Sequence, residues 1–204
     1  MTTGPASVST ADPVAAVGRT LTALLTPCDA DTGRVDVDAI PALVDHQVAQ
    51  GIEGLFVLGT AGQGPLQSLE ERKRTLAAIL AAASGRLKVV AHVGASRTSD
   101  TLDLLEDALA AGADAVSSVP PTYYQPDAAT VDQYFDVLLR HAAGRPLLAY
   151  DNPAAVGIGL SREQITEYVK RGMAGAKVAR KEIIFIQELA ASGVPTWTAN
   201  ADLN

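Results

Sequence analysis

A single cysteine, Cys28, occurs in 204 residues, so no internal disulfide can brace this chain, and such usage fits a reducing compartment. Histidine is nearly as scarce. His46, His92 and His141 are scattered without metal-ligand spacing, so no metal site is expected and each is taken as an ordinary surface or core residue. Basic residues are outnumbered, 16 Lys plus Arg against 23 Asp plus Glu, for a formal charge of −7. With no basic cluster in that balance, neither nucleic acid nor an anionic membrane is expected as a partner. No apolar run approaches the roughly 18 residues needed to cross a bilayer. Residues 1–18 are small and polar and lack the basic-then-apolar layout of a signal peptide. They are expected to form a flexible tail on a soluble, cytoplasmic protein.

Against these absences stands an apolar content of 48%, enough for a sizeable core and too much for extensive disorder. From residue 19 onward one unit recurs: a helical stretch, a glycine, then a short apolar run. The glycines are Gly51, Gly85, Gly112, Gly144, Gly172 and Gly193, placed where a helix commonly closes in the left-handed conformation. The runs predicted as strands are Thr20–Thr26, Gly54–Leu58, Lys88–Val93, Asp114–Val119, Pro146–Tyr150, Ala174–Val178 and Thr196–Ala199. They are rich in Val, Leu and Ala and do not alternate polar with apolar, as strands buried on both faces of a parallel sheet require. Ser68-Leu69-Glu70-Glu71 and Ser161-Arg162-Glu163-Gln164 match the helix capping box. Leu69, Leu76, Ile79 and Leu80 lie near one helical face, suited to packing on a sheet.

Seven such units in order point to an α/β fold of the (β/α)8 TIM-barrel type, with a doubly wound sheet as the rival. A complete barrel of this kind takes about 250 residues. The barrel domain, residues 19–204, is therefore expected to be truncated after its seventh strand and to lack the eighth unit.

Barrel active sites lie at the C-terminal ends of the strands, which directs attention to Lys177. It stands alone in the uncharged run Met173-Ala174-Gly175-Ala176-Lys177-Val178-Ala179. A lysine is rarely buried, because removing its ammonium from water is costly unless the group is paired or loses its proton. Burial lowers the pKa of an amine, and a neutral amine is a nucleophile suited to Schiff-base formation. The plainer alternative is a lysine at the strand's end whose head reaches water. The other polar strand ends are Gly59-Thr60-Ala61-Gly62-Gln63-Gly64, Thr122-Tyr123-Tyr124, Tyr150-Asp151-Asn152-Pro153 and Asn200-Ala201-Asp202. The glycine-rich turn could offer backbone N–H groups to an anion. It matches neither dinucleotide- nor phosphate-loop fingerprints.

In order and spacing these segments resemble the dihydrodipicolinate synthase / N-acetylneuraminate lyase family of Schiff-base-forming class I aldolases. The resemblance spans about residues 19–204. It rests on Leu25-Thr26-Pro27, Gly51-Ile52-Glu53-Gly54, Gly59-Thr60-Ala61-Gly62, Gly112-Ala113-Asp114-Ala115-Val116, Tyr123-Tyr124, Tyr150-Asp151-Asn152-Pro153 and Gly175-Ala176-Lys177.

It implies that Lys177 attacks the keto carbon of pyruvate or a related 2-oxo acid, and that Tyr150 shuttles protons. It implies that Thr60 links Tyr150 to Tyr124, which serves a neighbouring subunit's site. Gly59 and the amides of Thr60 and Ala61 would bind the 2-oxo acid carboxylate. It further implies a homo-oligomer, dimer or tetramer, an aldehyde as second substrate, and no cofactor.

Three positions depart from the family's pattern. Ala61 lacks a hydroxyl usual there, Gln63 replaces a glutamate, and Ala155 stands where dihydrodipicolinate synthases carry an arginine. Alanine cannot supply a guanidinium's bidentate grip on a carboxylate, which argues against aspartate semialdehyde as the partner. A sugar-acid dehydratase working through the same imine, or a non-catalytic remnant of the barrel, are the alternatives.

Overall fold

A computed structural model describes residues 12–199, in which seven parallel strands follow one another in chain order around a single curled sheet. The strands are β1 (Leu21–Ala23), β2 (Gly54–Val57), β3 (Lys88–His92), β4 (Ala115–Ser118), β5 (Leu147–Asp151), β6 (Gly175–Val178) and β7 (Thr196–Thr198). Between them run α2 (Ile40–Ala49), α3 (Leu69–Ala83), α4 (Thr98–Ala111), α5 (Ala128–Ala142), α6 (Pro153–Val156), α7 (Arg162–Lys170) and α8 (Ile183–Ala191), preceded by α1 (Pro13–Val17). Each strand hydrogen-bonds only to its neighbours in sequence. That is the (β/α) barrel order rather than the doubly wound one, in which the order reverses. Among the described residues β1 and β7 do not pair with each other, so seven of a barrel's eight strands are present.

The strands are shorter than the apolar runs that announced them, because the flanking residues leave the ladder while staying buried. Leu24 and Leu58, for example, lie outside β1 and β2 yet belong to the core. The sheet separates two apolar clusters. Between sheet and helices, Leu55, Val57, Val89, Ala91, Leu147 and Ala149 meet Leu76, Ile79, Leu105, Phe135 and Ile165. Inside the barrel, Phe56, Val90, Ala115, Leu148 and Tyr150 point the other way and pack together. This alternation puts Lys177 and Tyr150 on the inner face, since successive side chains of a strand point to opposite sides.

The tail expected over residues 1–18 requires a correction at its C-terminal end. Residues 1–11 lie outside the described residues, but Pro13–Val17 form α1, with Pro at the first turn and the Asp12 carboxylate accepting from the Val14 amide at 3.0 Å. Val17 is fully buried in the barrel's inner cluster. Its apolar side chain closes the N-terminal end of the interior, and this long-range contact has no local sequence signature. The Trp197 indole donates to the Gly18 carbonyl at 2.8 Å and ties β7 to the same end.

Of the two expected capping boxes, Ser161 and Gln164 complete theirs reciprocally. Ser68 accepts from the Glu71 amide, but the Glu71 carboxylate accepts instead from the Val35 amide at 3.2 Å. Tertiary contact has taken over half of a local motif.

Gly175 opens β6 with φ +151°, and a Cβ there would meet the Pro195 carbonyl oxygen at 2.3 Å. Gly175→Ala is expected to lower unfolding stability by roughly 1–3 kcal/mol, from backbone strain and overpacking. Chemical denaturation of the purified variant measures it.

Candidate active site

The register of β5 and β6 pairs Tyr150 directly with Lys177. Lys177 is 5% exposed. Its ammonium nitrogen sits 4.0 Å from the centre of the Tyr150 ring and 4.5 Å from that of Phe56. The ion-paired lysines among the described residues are Lys73, Lys88 and Lys170, and Lys177 is not one of them. Burial therefore pushes its pKa down from the ordinary lysine value, with the Tyr150 side chain opposing the shift. The snorkelling alternative fails, since the side chain turns inward over two aromatic rings.

Tyr150 is itself wedged edge-on against Phe56 and His92, with ring centroids 5.2 and 5.7 Å away. Its phenol oxygen lies 3.5 Å from the Thr60 hydroxyl and accepts from the Asn152 carboxamide at 3.0 Å. The same carboxamide reaches the Thr60 hydroxyl at 3.2 Å.

Thr60 arrives on the loop after β2. Leu58, a non-glycine residue, adopts φ +60° there, a costly conformation of the kind that persists where surrounding structure enforces it. A cavity of about 300 Å³ opens between these groups, bordered by Phe56, Gly59, Thr60, Ala61, Tyr150 and Lys177 among others. The backbone N–H groups of Thr60 and Ala61 have no acceptor among the described residues. A pocket of this sort, with unspent amides beside an amine of lowered pKa, suits a small carboxylate bearing a carbonyl.

A buried ion pair braces this corner. Asp151 is fully buried and is gripped by Arg180, whose Nε and Nη2 both donate to it, the latter at 3.2 Å. Asp151 also accepts from the Leu160 amide at 2.9 Å, and Arg180 donates to the Leu160 carbonyl at 2.8 Å. The guanidinium lies over the Phe185 ring. Three segments, the ends of β5 and β6 and the turn before α7, are thereby held together one residue from Tyr150 and three from Lys177.

Behind Thr60 lies a second cavity of about 430 Å³, lined by Gln63, Leu66, Arg72, His92 and Ala155 among others. Arg72 donates to the carbonyls of His92 and Gly94 at 2.6 and 3.0 Å. Desolvation pulls its pKa down to about 10. His92 is buried and pushed down to about 3, by desolvation first and then by Arg72. It is a neutral imidazole whose Nδ1 bonds the Leu58 carbonyl at 3.2 Å. Among the described residues no cluster of His, Cys, Asp or Glu could hold a metal, and no helix is long and apolar enough to cross a membrane.

The structure thus brings together Lys177, Tyr150, Thr60, Gly59 and Ala61 from the sequence-derived set. Within the protomer it does not bring in Tyr124, which is 88% exposed and stacks edge-on against Tyr123 at 4.9 Å. Asn200 and Asp202 fall outside the described residues. Sequence reasoning missed Asn152, Asp151 and Arg180 as parts of the site. The adjacency of two polar residues to Tyr150 was the available signal, but nothing local indicated which way either would point.

The sequence profile of the Dihydrodipicolinate synthetase family matches residues 16–197. The chain belongs to that family. It is 45% identical to an N-acetylneuraminate lyase from Rhizobium meliloti over 132 residues, 65% of this chain and 44% of the relative. It is 37% identical to a 4-hydroxy-tetrahydrodipicolinate synthase from Kineococcus radiotolerans over 159 residues, 78% of this chain and 51% of the relative. A catalytic-lysine mutant of the Ruminococcus gnavus sialic acid aldolase superposes with a TM-score of 0.80 at 25% identity, covering 86% of this chain and 58% of that one. The chain spans about half the length of these curated relatives.

Forcing an amine into this cage is destabilising while it carries a proton. Lys177→Met should raise unfolding stability at neutral pH by roughly 1 kcal/mol, as removal of active-site polar groups commonly does. Because the folded-state pKa of the lysine is lowered, the unfolded chain binds the extra proton between that value and the free-lysine value of about 10.4. Wild-type stability therefore rises with pH through that window, and the advantage of the Met variant shrinks there. Paired denaturation curves across alkaline pH check the sign.

Proposed function

We propose that the protein acts on pyruvate or another 2-oxo acid through a Schiff base at Lys177, as a class I aldolase or lyase. The observation that carries this reading is the amine itself: buried, lowered in pKa, without an ion-pair partner among the described residues, and beside a phenol at the edge of a cavity. Family membership supports it, as do the lyases and synthase among its relatives and a solved aldolase whose lysine is described as catalytic.

The neutral amine of Lys177 attacks the keto carbon, the carbonyl π pair moves to oxygen, and the proton shed by the attacking nitrogen passes to that oxygen to give a neutral carbinolamine. Tyr150 then gives its proton to the departing hydroxyl, water leaves, and the nitrogen lone pair forms the C=N bond. The protonated imine draws electrons from the adjacent carbon, so a carbon–carbon bond there can break or form without a cofactor. The Thr60 and Ala61 amides hold the 2-oxo acid's carboxylate. Gly59 permits the close turn, since a Cβ there would meet the Phe56 ring at 2.5 Å. Thr60 orients the Tyr150 hydroxyl.

Tyr124, exposed in the protomer, reaches a neighbouring copy in a homo-oligomer. The acceptor is an aldehyde other than aspartate semialdehyde, because Ala155 offers no bidentate grip on a second carboxylate.

Treatment with pyruvate and borohydride should add the mass of a reduced pyruvyl group to Lys177. Folded Lys177→Ala should gain none, and an adduct that persists on that variant would sink the proposal. Tyr150→Phe should slow trapping by about 10²–10⁴-fold, the usual contribution of a positioned proton donor. Trapping should also accelerate as pH rises through the lowered lysine pKa, because only the unprotonated amine attacks. An onset delayed to the free-lysine value would contradict an amine tuned by burial.

A further inference from the structure

We infer that Asn152 is a positioning residue of the proton-transfer centre, donating its two carboxamide hydrogens to Tyr150 and Thr60 so that the phenol's own hydrogen is left free for transfer. This rests on the function proposed above and extends it to a residue that has no assigned part in it.

Asn152 occupies the N-cap of α6, where an asparagine side chain ordinarily accepts from the helix's first free amides. Here the side chain makes no such bond. The backbone carbonyl serves the amides of Ala155 and Val156 instead, at 3.0 and 3.1 Å. The carboxamide is turned into the barrel, 8% exposed, where it borders the Lys177 cavity. It sits 3.0 Å from the Tyr150 oxygen and 3.2 Å from the Thr60 oxygen, both shorter than the 3.5 Å between those two oxygens. The Tyr150–Thr60 link therefore runs mainly through Asn152. Among the described residues it is the only side chain hydrogen-bonded to both.

Donor and acceptor counting gives the consequence. A carboxamide nitrogen carries two hydrogens and accepts nothing. The phenol oxygen that receives one of them keeps its own hydrogen to give away. When Tyr150 passes that proton to the carbinolamine hydroxyl and water departs, the electron pair left on the phenol oxygen stays hydrogen-bonded to the amide. Hydrogen bonds to a charged form favour it. Asn152 thus lowers the cost of the phenolate while touching neither the reacting carbon nor the amine.

The test compares Asn152→Leu, which removes the amide without adding charge, with Asn152→Asp, which keeps its shape, removes both donors and adds a negative charge that acts on the phenol in the same direction. Two readouts are taken on each: the pH dependence of pyruvate trapping, and the tyrosinate absorbance of Tyr150 on alkaline titration, isolated by subtracting the same variant carrying Tyr150→Phe. In both variants the trapping rate at neutral pH should fall about tenfold or more. The alkaline limb of the rate and the Tyr150 absorbance should both move to higher pH, by about one unit for one lost hydrogen bond.

An Asn152→Asp variant with the wild-type rate and titration would show that the carboxamide does not act as donor, and would overturn the inference. So would a Tyr150 signal that stays put in both variants. Should Asn152→Leu fail to fold, the isosteric Asp variant carries the test alone. If wild type traps no pyruvate while the Tyr150 titration still shifts, the imine reading falls and the Asn152–Tyr150 coupling stands. If wild type traps pyruvate and the titration does not shift, the reverse holds.

Discussion

Burying one amine against two aromatic rings is the constraint around which this structure is organised. An unpaired ammonium inside a protein is so unfavourable that it either finds a carboxylate or tends to lose its proton. Among the described residues no carboxylate pairs with Lys177. What it has is the π faces of Phe56 and Tyr150, which give a cation some attraction yet do not fix the charge as an ion pair would. The result is an amine whose protonated form is disfavoured, with its pKa held below the ordinary lysine value. That is a poor arrangement for stability and a good one for nucleophilic attack.

Holding that corner in shape falls to groups that do no chemistry themselves. The strain at Leu58 and the tight loop through Gly59 and Gly64 are paired with a contact between the fully buried Asp151 and the partly buried Arg180 that fastens the ends of β5 and β6. A buried ion pair is not in general a source of net stability, because desolvating both charges offsets their attraction. Its value here is geometric. It links three chain segments and so limits how far Tyr150 and Lys177 can drift from register. Reacting groups must lie within a few tenths of an ångström of their productive positions, and a rigid frame supplies that more surely than loops do.

Much of the fold was legible beforehand. Runs such as Val89-Val90-Ala91 and Leu147-Leu148-Ala149 are apolar on both faces, and only a strand buried between two layers needs that. Ser161 and Gln164 marked the start of α7 by a purely local exchange of hydrogen bonds, so its position could be read from four residues. Less local features were invisible. The burial of Val17 depends on strands that lie tens of residues away. The diversion of Glu71 to the Val35 amide depends on the loop before α2. His92 looked unremarkable, and became a neutral imidazole because burial strips it of water, with the Arg72 guanidinium at the same strand end adding to the effect.

The sequence by itself determined the kind of molecule and singled out Lys177 as its most unusual residue. Short runs apolar on both faces, alternating with capped helices, call for a parallel sheet covered by helices, and a lone lysine in such a run has few roles. Tertiary structure alone decided what surrounds that lysine. The inward turn of Asn152 away from its own helix, the clasp of Asp151 by Arg180 and the outward placement of Tyr124 arise from contacts between segments remote in the chain. Side-chain direction at a strand's end is set by the packed neighbours it meets. Adjacent residues in the sequence carry no information about those neighbours.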